Sequence, residues 1–358
     1  TVNGQSVDGN SISFKALEKI TVEGEVLDAS GQLVTDFTGI VNPTVKDSKV
    51  TVTCLKNSNK DDSPAFTFTD YPNTIFIGND SVRNGKFSFT FTVPKDISYS
   101  NLQGKMNLYA VDTESGNEAQ GNFDNFIVGG TSDTAETDTI GPEIRALYLN
   151  DTTFVDGGQV NTTPYFVAEL WDKSGVNITG SSVGHDMMLV IDESTVLSYN
   201  LNSYYELLLG EDGTGIVKFP IPALEPGKHT AEFWVWDILN NSTVRTFTFE
   251  VVEGLKPFLF DVIATPGIAR EQVTFHLMHN RPESRMRVGI MVYDLAGRQL
   301  WKHEESGTSG LFENYTVSWD LTSGGARMRP GVYIYRAAIS TDNSKDATKA
   351  RKFIILGE

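Results

Sequence analysis

A histidine and an aspartate stand side by side at His185 and Asp186, within the segment GSSVGHDMMLVID (180–192). These residue types serve general acid–base catalysis when one of them orients the other. The apolar run that follows predicts a β-strand, and neighbouring residues of a strand point to opposite faces. We therefore expect His185 and Asp186 to act separately, as the polar start of a strand after a turn at Gly184, and not as a catalytic pair.

Few other residues could carry chemistry. Cys54 ends an alternating segment, which predicts that it shares a buried face with Val50 and Val52 and that it is a core residue. A nucleophilic cysteine needs a base beside it, and the sequence nominates none. His276 and His279 are three residues apart in a predicted strand, on opposite faces, so they are not expected to bind zinc together. The motifs HExxH and GxSxG are absent, and no catalytic residue is predicted.

Acidic turns raise the question of a metal. The segments WDKSGVN (171–177) and DASG (28–31) place aspartate near other oxygen-bearing side chains, and calcium needs several such ligands at once. Neither segment has DxDxDG spacing, and turns in which an Asp side chain accepts backbone N–H groups explain both more simply. We expect no metal and no other cofactor, with calcium kept as the open alternative.

Composition and charge exclude several classes of protein. The 358 residues are 39% hydrophobic, which is typical of a globular chain. No apolar run is long enough for a transmembrane segment. Residues 1–140 have 10 basic and 19 acidic residues, and residues 141–255 have 5 and 16. Such an acidic chain is not expected to bind nucleic acid, because phosphate binding needs clustered Lys and Arg. The first residues lack a signal peptide, and we expect the chain to be a fragment or a processed product.

Hydrophobic residues alternate with polar ones almost everywhere, as in KFSFTFTV (86–93), which predicts an all-β protein. Blocks also repeat in the same order. ITVEGEVLDASG (20–31) is similar to YFVAELWDKSG (165–175), and MNLYAVD (106–112) is similar to TAEFWVWD (230–237). We predict two immunoglobulin-like sandwiches, at 1–135 and 141–255, separated by a polar linker that ends at Gly141 and Pro142.

The balance of charge changes after residue 255, where 14 basic residues face 11 acidic ones. The hairpin around VYDLAGRQLW (292–301) and the strands that follow predict a third β-sandwich, at 256–358. Five of its arginines fall in two stretches that we predict to be loops, RPESRMR (281–287) and ARMRP (326–330). Because arginine is favoured at docking surfaces for its bidentate hydrogen bonds, we predict a partner-binding surface made of Arg285, Arg287, Arg327 and Arg329.

Several blocks together resemble the C-terminal portion of the PorU-type sortases, the gingipain-like cysteine peptidases of the type IX secretion system of Bacteroidetes. The resemblance extends along essentially the whole chain. It is carried by GKFSFTFTVPKDI (85–97), DTIGPEIRALYLND (138–151), FVAELWDKSGVNITGSSVGHDMMLVID (166–192), YNLNSYYELLLGEDGTGIVKFPIPALEPGKHTAEFWVWDILNNST (199–243) and VYDLAGRQLW (292–301). WDLTSGGARMRPGVYIYRA (319–337) and KFIIL (352–356) also resemble the C-terminal domain that addresses proteins to this pathway.

The resemblance implies a cell-surface protein associated with the outer membrane. It implies as partners an outer-membrane β-barrel protein and other secretion-complex proteins, together with cargo proteins that carry a C-terminal signal. The catalytic residues of such a peptidase would belong to a domain before Thr1, so this chain would support the peptidase and dock partners. A carbohydrate-binding or adhesive surface module remains the alternative, because five tryptophans could offer a sugar platform.

Overall fold

The structure, a computed structural model, describes residues 1–56, 64–133, 138–180, 184–210, 213–341 and 343–357. Within these residues nearly every regular element is a β-strand, and the exception is a short 3₁₀ helix at Asn202–Tyr204. The predicted all-β class is therefore confirmed. No helix in the described part of the chain is long and apolar enough to cross a membrane.

The first repeat forms two main sheets and a small hairpin. Its twelve strands are β1 (Ile12–Ala16), β2 (Lys19–Glu25), β3 (Gly39–Lys46), β4 (Val50–Thr53), β5 (Thr67–Asp70), β6 (Thr74–Ile77), β7 (Asp80–Arg83), β8 (Lys86–Thr92), β9 (Leu102–Gln103), β10 (Lys105–Asp112), β11 (Glu118–Phe123) and β12 (Phe126–Thr131). One sheet has the order β11-β10-β3-β7-β8-β2, with β6 also paired to β3, and the other has the order β1-β12-β9. β4 pairs with β5 as a separate two-stranded sheet.

The alternation in β8 shows why these residues form a sheet with one buried face. Phe87, Phe89 and Phe91 are buried, whereas the residues between them are exposed. On the opposing sheet Phe14 stacks on Phe126, with ring centroids 4.3 Å apart, and Phe14 also meets Phe91 edge-on. The core therefore lies between the two main sheets, as in a β-sandwich.

The second repeat adds nine strands and the 3₁₀ helix. The strands are β13 (Glu143–Leu149), β14 (Gln159–Val160), β15 (Tyr165–Trp171), β16 (Met188–Ile191), β17 (Ser198–Asn200), β18 (Tyr205–Leu207), β19 (Thr214–Pro220), β20 (Gly227–Trp236) and β21 (Ser242–Val251). They form sheets with the orders β13-β15-β19-β18 and β14-β21-β20-β16-β17.

The last third of the chain forms a sandwich of a three-stranded and a five-stranded sheet. Its strands are β22 (Leu259–Thr265), β23 (Ile268–Ala269), β24 (Val273–His279), β25 (Met286–Tyr293), β26 (Gln299–Gly307), β27 (Tyr315–Trp319), β28 (Thr322–Ser323), β29 (Ala326–Arg327), β30 (Gly331–Ser340) and β31 (Ala347–Ile355). The sheet orders are β22-β24-β27 and β23-β31-β30-β25-β26. Phe275, Tyr335 and Phe353 pack between the sheets, and the buried Tyr335 hydroxyl donates to the Val262 carbonyl at 3.0 Å.

The chain divides into two compact units. One comprises Thr1–Leu147, Ala168–Lys218 and Thr230–Phe247, and the other comprises Tyr148–Val167, Phe219–His229 and Thr248–Glu358. This division passes through the span 141–255 that we predict to be one sandwich. The boundaries 1–135, 141–255 and 256–358, and the independent folding of the middle span, therefore stay predictions.

Candidate functional site

His185 pairs with an aspartate that is distant in the sequence. Its Nδ1 lies 2.6 Å from Oδ2 of Asp96, in the loop that follows β8, and its ring lies against Trp236 with centroids 4.5 Å apart. Asp186 instead accepts a hydrogen bond from Asn202 Nδ2 at 2.7 Å. The two neighbours thus serve different partners, as the strand argument predicts, and the partner of His185 is Asp96.

Amides hold Asp96 in place for this contact. Its Oδ1 accepts from Asn240 Nδ2 at 2.9 Å, and its Oδ2 also accepts from Asn177 Nδ2 at 3.4 Å. A histidine oriented by a carboxylate provides two of the three residues of a hydrolytic triad. The third would be a nucleophile that is hydrogen-bonded to the other ring nitrogen. In the described part of the chain no hydroxyl or thiol hydrogen-bonds His185 Nε2, and Ser181 and Ser182 lie outside it.

Three aspartates meet beside this network. One carboxylate oxygen from each of Asp138, Asp172 and Asp237 lies within 4.8 Å of the other two. Asp172 follows β15 and Asp237 follows β20, while Asp138 comes from the segment that joins the repeats. Asp172 and Asp237 are buried and Asp138 is half-buried. Their backbone turns also place Ser174 so that its hydroxyl donates to Asp138 Oδ2 at 2.8 Å.

Turn N–H groups donate to two of these carboxylates, and for Asp172 this is the Asx turn that the sequence predicts. Asp172 Oδ1 accepts from the N–H groups of Ser174 and Gly175, at 2.8 and 2.9 Å. Asp237 Oδ1 accepts from those of Leu239 and Asn241, at 2.9 and 2.7 Å. The turns are therefore as expected, but the sequence did not reveal that they converge.

The cluster perturbs its own ionisation. Burial, with smaller contributions from the charges of Asp237 and Asp138, raises the pKa of Asp172 to about 6. Burial also raises the pKa of Asp237, with Asp138 adding to the effect. Hydrogen bonds from the Ile140 N–H and the Ser174 hydroxyl lower the pKa of Asp138. No ion pair joins Asp172 or Asp237 to a lysine or arginine in the residues that the structure describes.

A cavity of about 550 Å³ opens next to Asp172. Tyr205 lines it and is only 5% exposed, and its hydroxyl has no hydrogen-bond partner. Asn79 lines the same cavity, donates through Nδ2 to the Leu207 carbonyl at 2.7 Å, and keeps a buried Oδ1 without a partner. Buried polar atoms without a partner are uncommon. Two hydrogen-bonding groups of this cavity are therefore unsatisfied by the residues that the structure describes.

Cys54 does not lie where the alternation predicts. It is exposed, and the prediction of a core cysteine is wrong. β4 pairs only with β5 in a two-stranded hairpin, in which Phe66 is 71% and Phe68 is 41% exposed. Period-two alternation gives the face of a residue but not whether another sheet covers that face.

The histidines of β24 lie on different sides of their strand. His279 alternates with the buried Val273, Phe275 and Leu277, whereas His276 has the opposite parity. His279 Nε2 lies 2.9 Å from Ser309 Oγ, and its Nδ1 accepts from the Arg281 N–H at 3.1 Å. The structure therefore does not bring His276 and His279 together as a zinc pair.

The four arginines of the predicted docking surface form two separate pairs. Arg287 lies in β25 opposite Ser340, at the end of β30, whereas Arg329 lies just before Gly331, where β30 begins. At about 3.3 Å per strand residue, the two ends of β30 are about 30 Å apart. Arg285 accompanies Arg287 and Arg327 accompanies Arg329. Arg287 and Arg327 lie in strands rather than loops, and the partner-binding role of all four arginines stays a prediction.

Most tryptophans have packing partners. Trp236 packs on His185, and Trp301 stacks on Trp319 with centroids 4.5 Å apart. The guanidinium of Arg145 lies 5.0 Å from the centroid of Trp171. These contacts favour the interpretation that the tryptophans are packing residues, and no row of exposed tryptophans forms among them.

Comparison with solved structures finds a match of substantial sequence identity. The chain is 38% identical to PorU from Porphyromonas gingivalis, solved as a dimeric latent form, with a TM-score of 0.43. The match covers 100% of this chain and 33% of that one, so the chain spans about a third of the length of PorU. No family model and no curated protein sequence matches the chain.

Two further solved structures are similar at low identity. One is the Bacteroides ovatus protein SGBP-B of a mixed-linkage glucan utilization locus, in complex with a heptasaccharide, at 10% identity, a TM-score of 0.25, and coverage of 99% and 67%. The other is the N-terminal Ig1-2 module of the Drosophila receptor tyrosine phosphatase DLAR, at 10% identity, a TM-score of 0.24, and coverage of 61% and 100%. Similarities this weak carry no argument about function.

Proposed function

From the confirmed resemblance of this chain to PorU, 38% identical along its whole length, we propose that it is the C-terminal, non-catalytic β-domain portion of a PorU-type sortase. In this proposal the remainder of such a protein carries the cysteine peptidase that processes cargo of the type IX secretion system. The portion described by the structure supports that peptidase and docks partner proteins at the cell surface, in association with the outer membrane. The identity over the full chain is the observation that carries the proposal.

The side-chain chemistry agrees with a supporting role. Cys54 is exposed on a hairpin, and no histidine among the described residues hydrogen-bonds it. His185 is hydrogen-bonded to Asp96 and packs against Trp236. A cysteine peptidase needs a thiolate next to a base, and these contacts do not supply one.

The predicted partners are an outer-membrane β-barrel protein, other proteins of the secretion complex and cargo with a C-terminal signal. The last third of the chain is the part we assign to docking, because it has an excess of basic residues while the rest is acidic. Opposite charges steer association, so this part offers a surface that an acidic partner approaches fastest.

The test is a binding and cleavage experiment on the whole chain. The immobilised chain is exposed to the solubilised outer-membrane proteins of the secretion complex, to a cargo C-terminal domain and to surface polysaccharide, and it is incubated separately with signal-derived peptides. We expect protein binding and no peptide turnover. Turnover that Cys54→Ala abolishes would show that this chain is itself a peptidase, and binding to the polysaccharide alone would favour the carbohydrate-binding alternative.

The separation of the arginines sharpens this test. Arg285→Ser with Arg287→Ser changes one end of the five-stranded sheet, and Arg327→Ser with Arg329→Ser changes the other. Each double variant is the matched control for the other, because both remove two positive charges. We expect one of them to slow association several-fold, more at low salt. Unchanged rates for both variants would place the docking surface elsewhere.

A further inference from the structure

The two repeats contain the same pair of turn aspartates. Asp28 and Asp112 in the first repeat correspond to Asp172 and Asp237 in the second. Asp28 Oδ1 accepts from the N–H groups of Ser30 and Gln32, and Asp112 Oδ1 accepts from those of Glu114 and Ser115. All four side chains thus accept from the N–H group two residues on, as in an Asx turn, and only the second donor differs between the repeats.

The repeats differ in what surrounds these aspartates. In the first repeat hydrogen bonds lower the pKa of Asp28, and they lower that of Asp112 to about 2, so both carboxylates are stable as anions. Among the described residues the only group of three acidic side chains close enough to share an ion is Asp138, Asp172 and Asp237. The connecting segment thus adds a third carboxylate to a pair that is already buried.

A buried phenol points toward this group. Tyr205 lies opposite Val217 in β19, and a methyl group built on Gly215 would lie 2.3 Å from its hydroxyl, so the ring runs back along β19. Two residues earlier, a methyl group on Gly213 would lie 3.0 Å from the Asp172 carbonyl oxygen. The Tyr205 hydroxyl is buried without a partner, and the charge of Asp172 acts on it. It is placed to hydrogen-bond a water molecule bound beside Asp172.

We propose that Asp138, Asp172 and Asp237 bind a calcium ion, with the Tyr205 hydroxyl holding a water molecule of its coordination shell. Calcium takes six to eight oxygen ligands at about 2.3 to 2.6 Å, so two ligands of one ion are at most about 5 Å apart. The separation of the three carboxylate oxygens, within 4.8 Å, meets that limit. Magnesium, with ligands at about 2.0 to 2.1 Å, requires a tighter set.

The buried negative charge of the three aspartates favours a bound cation. Asp172 and Asp237 are buried, which disfavours their charge, and the three neighbouring carboxylates repel one another. No described residue donates a hydrogen bond to Asp172 Oδ2, so a lone pair of a buried carboxylate is available. A divalent ion would neutralise most of this charge and use that oxygen.

The site would fasten the connecting segment to the second repeat. Asp138 is the ligand from that segment, whereas Asp172 and Asp237 terminate strands β15 and β20. An ion bridging all three would resist separation of the segment from the strand ends. Calcium is millimolar outside cells, and sites in extracellular modules bind it with dissociation constants of about 0.1 to 1 mM, which is the range we expect.

The experiment uses the whole chain after removal of metals with a chelator. Terbium replaces calcium and emits when nearby tryptophan is excited, and Trp171 immediately precedes Asp172. We expect sensitised terbium emission that calcium displaces and that magnesium displaces at least tenfold less well. Direct calcium binding is measured by equilibrium dialysis.

The variants separate this site from the general acidity of the protein. Asp172→Asn and Asp237→Asn should each weaken calcium binding at least tenfold, and Tyr205→Phe should weaken it several-fold. Asp112→Asn is the matched control, because it alters the corresponding turn of the first repeat and should leave binding unchanged. If circular dichroism shows that Asp172→Asn or Asp237→Asn misfolds, calcium binding is compared instead with Asp138→Asn, because Asp138 is only half-buried.

Two results would overturn the proposal. One is that the wild type and a folded variant with one of the three aspartates replaced bind calcium equally well. That result would place the ion on the acidic surface. The other is a wild-type chain that binds no calcium up to several millimolar, which would mean that the carboxylates share protons instead.

Discussion

His279 makes the last third of the chain sensitive to acid. Burial, together with the charge of Arg281, lowers its pKa from 6.5 to about 4. Arg281 is itself 1% exposed, and its guanidinium donates to carbonyl oxygens of Asn280 and Leu255 at 3.1 and 3.0 Å. His279 therefore accepts the Arg281 N–H at Nδ1 and donates from Nε2 to Ser309 Oγ, which is the neutral form.

Protonation would break this arrangement. A proton on Nδ1 would face the Arg281 N–H, so that two hydrogen-bond donors would point at each other. It would also add a positive charge beside a buried guanidinium. The unfolded chain binds the proton near pH 6.5 and the folded chain only near pH 4, so the folded state is favoured above 6.5 and loses stability as the pH falls between the two values. At about pH 4.5 the loss relative to neutral pH is about 2.4 kcal/mol, a factor of about 60 in the unfolding equilibrium.

The assay is hydrogen–deuterium exchange of the amides of β24 and β27, compared at neutral pH and at about pH 4.5, with the intrinsic exchange rates taken into account. The variant is His279→Asn, whose side-chain oxygen can still accept the Arg281 N–H but cannot titrate. At neutral pH we expect it to be about 1 kcal/mol less stable, because the bond to Ser309 is lost. On acidification the wild type should lose about 60-fold more protection than the variant.

The control is His276→Asn, on the other face of the same strand, which should leave the pH dependence unchanged. Asp151 and Glu313 also line the cavity next to His279, so only the difference between wild type and variant is interpreted. Parallel loss of protection in wild type and His279→Asn would refute the assignment of acid sensitivity to His279.

Three further outcomes are expected. Cys54, being exposed, should react completely with a thiol reagent in the folded chain, and a reaction seen only in denaturant would contradict the hairpin. Phe275→Ala should destabilise the last third by about 3 to 5 kcal/mol, since Phe275 is fully buried among aromatic rings, and a loss below about 1 kcal/mol in denaturant unfolding would contradict that packing. A chain of residues 141–255 should melt cooperatively, whereas a dye-binding, non-cooperative product would mean that its core depends on its neighbours.

The fold could be predicted largely from local pattern. Alternation gave the strands and their buried faces, as Phe87, Phe89 and Phe91 illustrate. His185 and Asp186 do have different partners, as expected, but both precede β16 (Met188–Ile191), so strand alternation is not the cause. Alternation was wrong for Cys54, since whether a face is covered depends on another sheet and not on the strand itself.

The site could not be predicted in the same way, because its members are far apart in the sequence. Asp96 and His185 are separated by 89 residues, and Asn240 is 144 residues from Asp96. Nothing in the local sequence of any of them signals the others. Arg281 gives the same lesson, because it begins an arginine-rich stretch that we predict to be a loop, yet it is buried and its guanidinium donates to backbone carbonyl oxygens.

The comparison of the repeats shows how one local motif acquires different chemistry. Each of the four aspartates accepts a hydrogen bond from the backbone N–H two residues on, so the sequence block gives both copies an Asx turn, although the second N–H donor differs. Ionisation depends instead on burial and on neighbouring charge. Asp28 is exposed and Asp112 is held by N–H donors that include Thr38, whereas Asp172 and Asp237 are joined by Asp138. The segment between the repeats, which the sequence identifies only as a polar linker, therefore determines which copy can hold an ion.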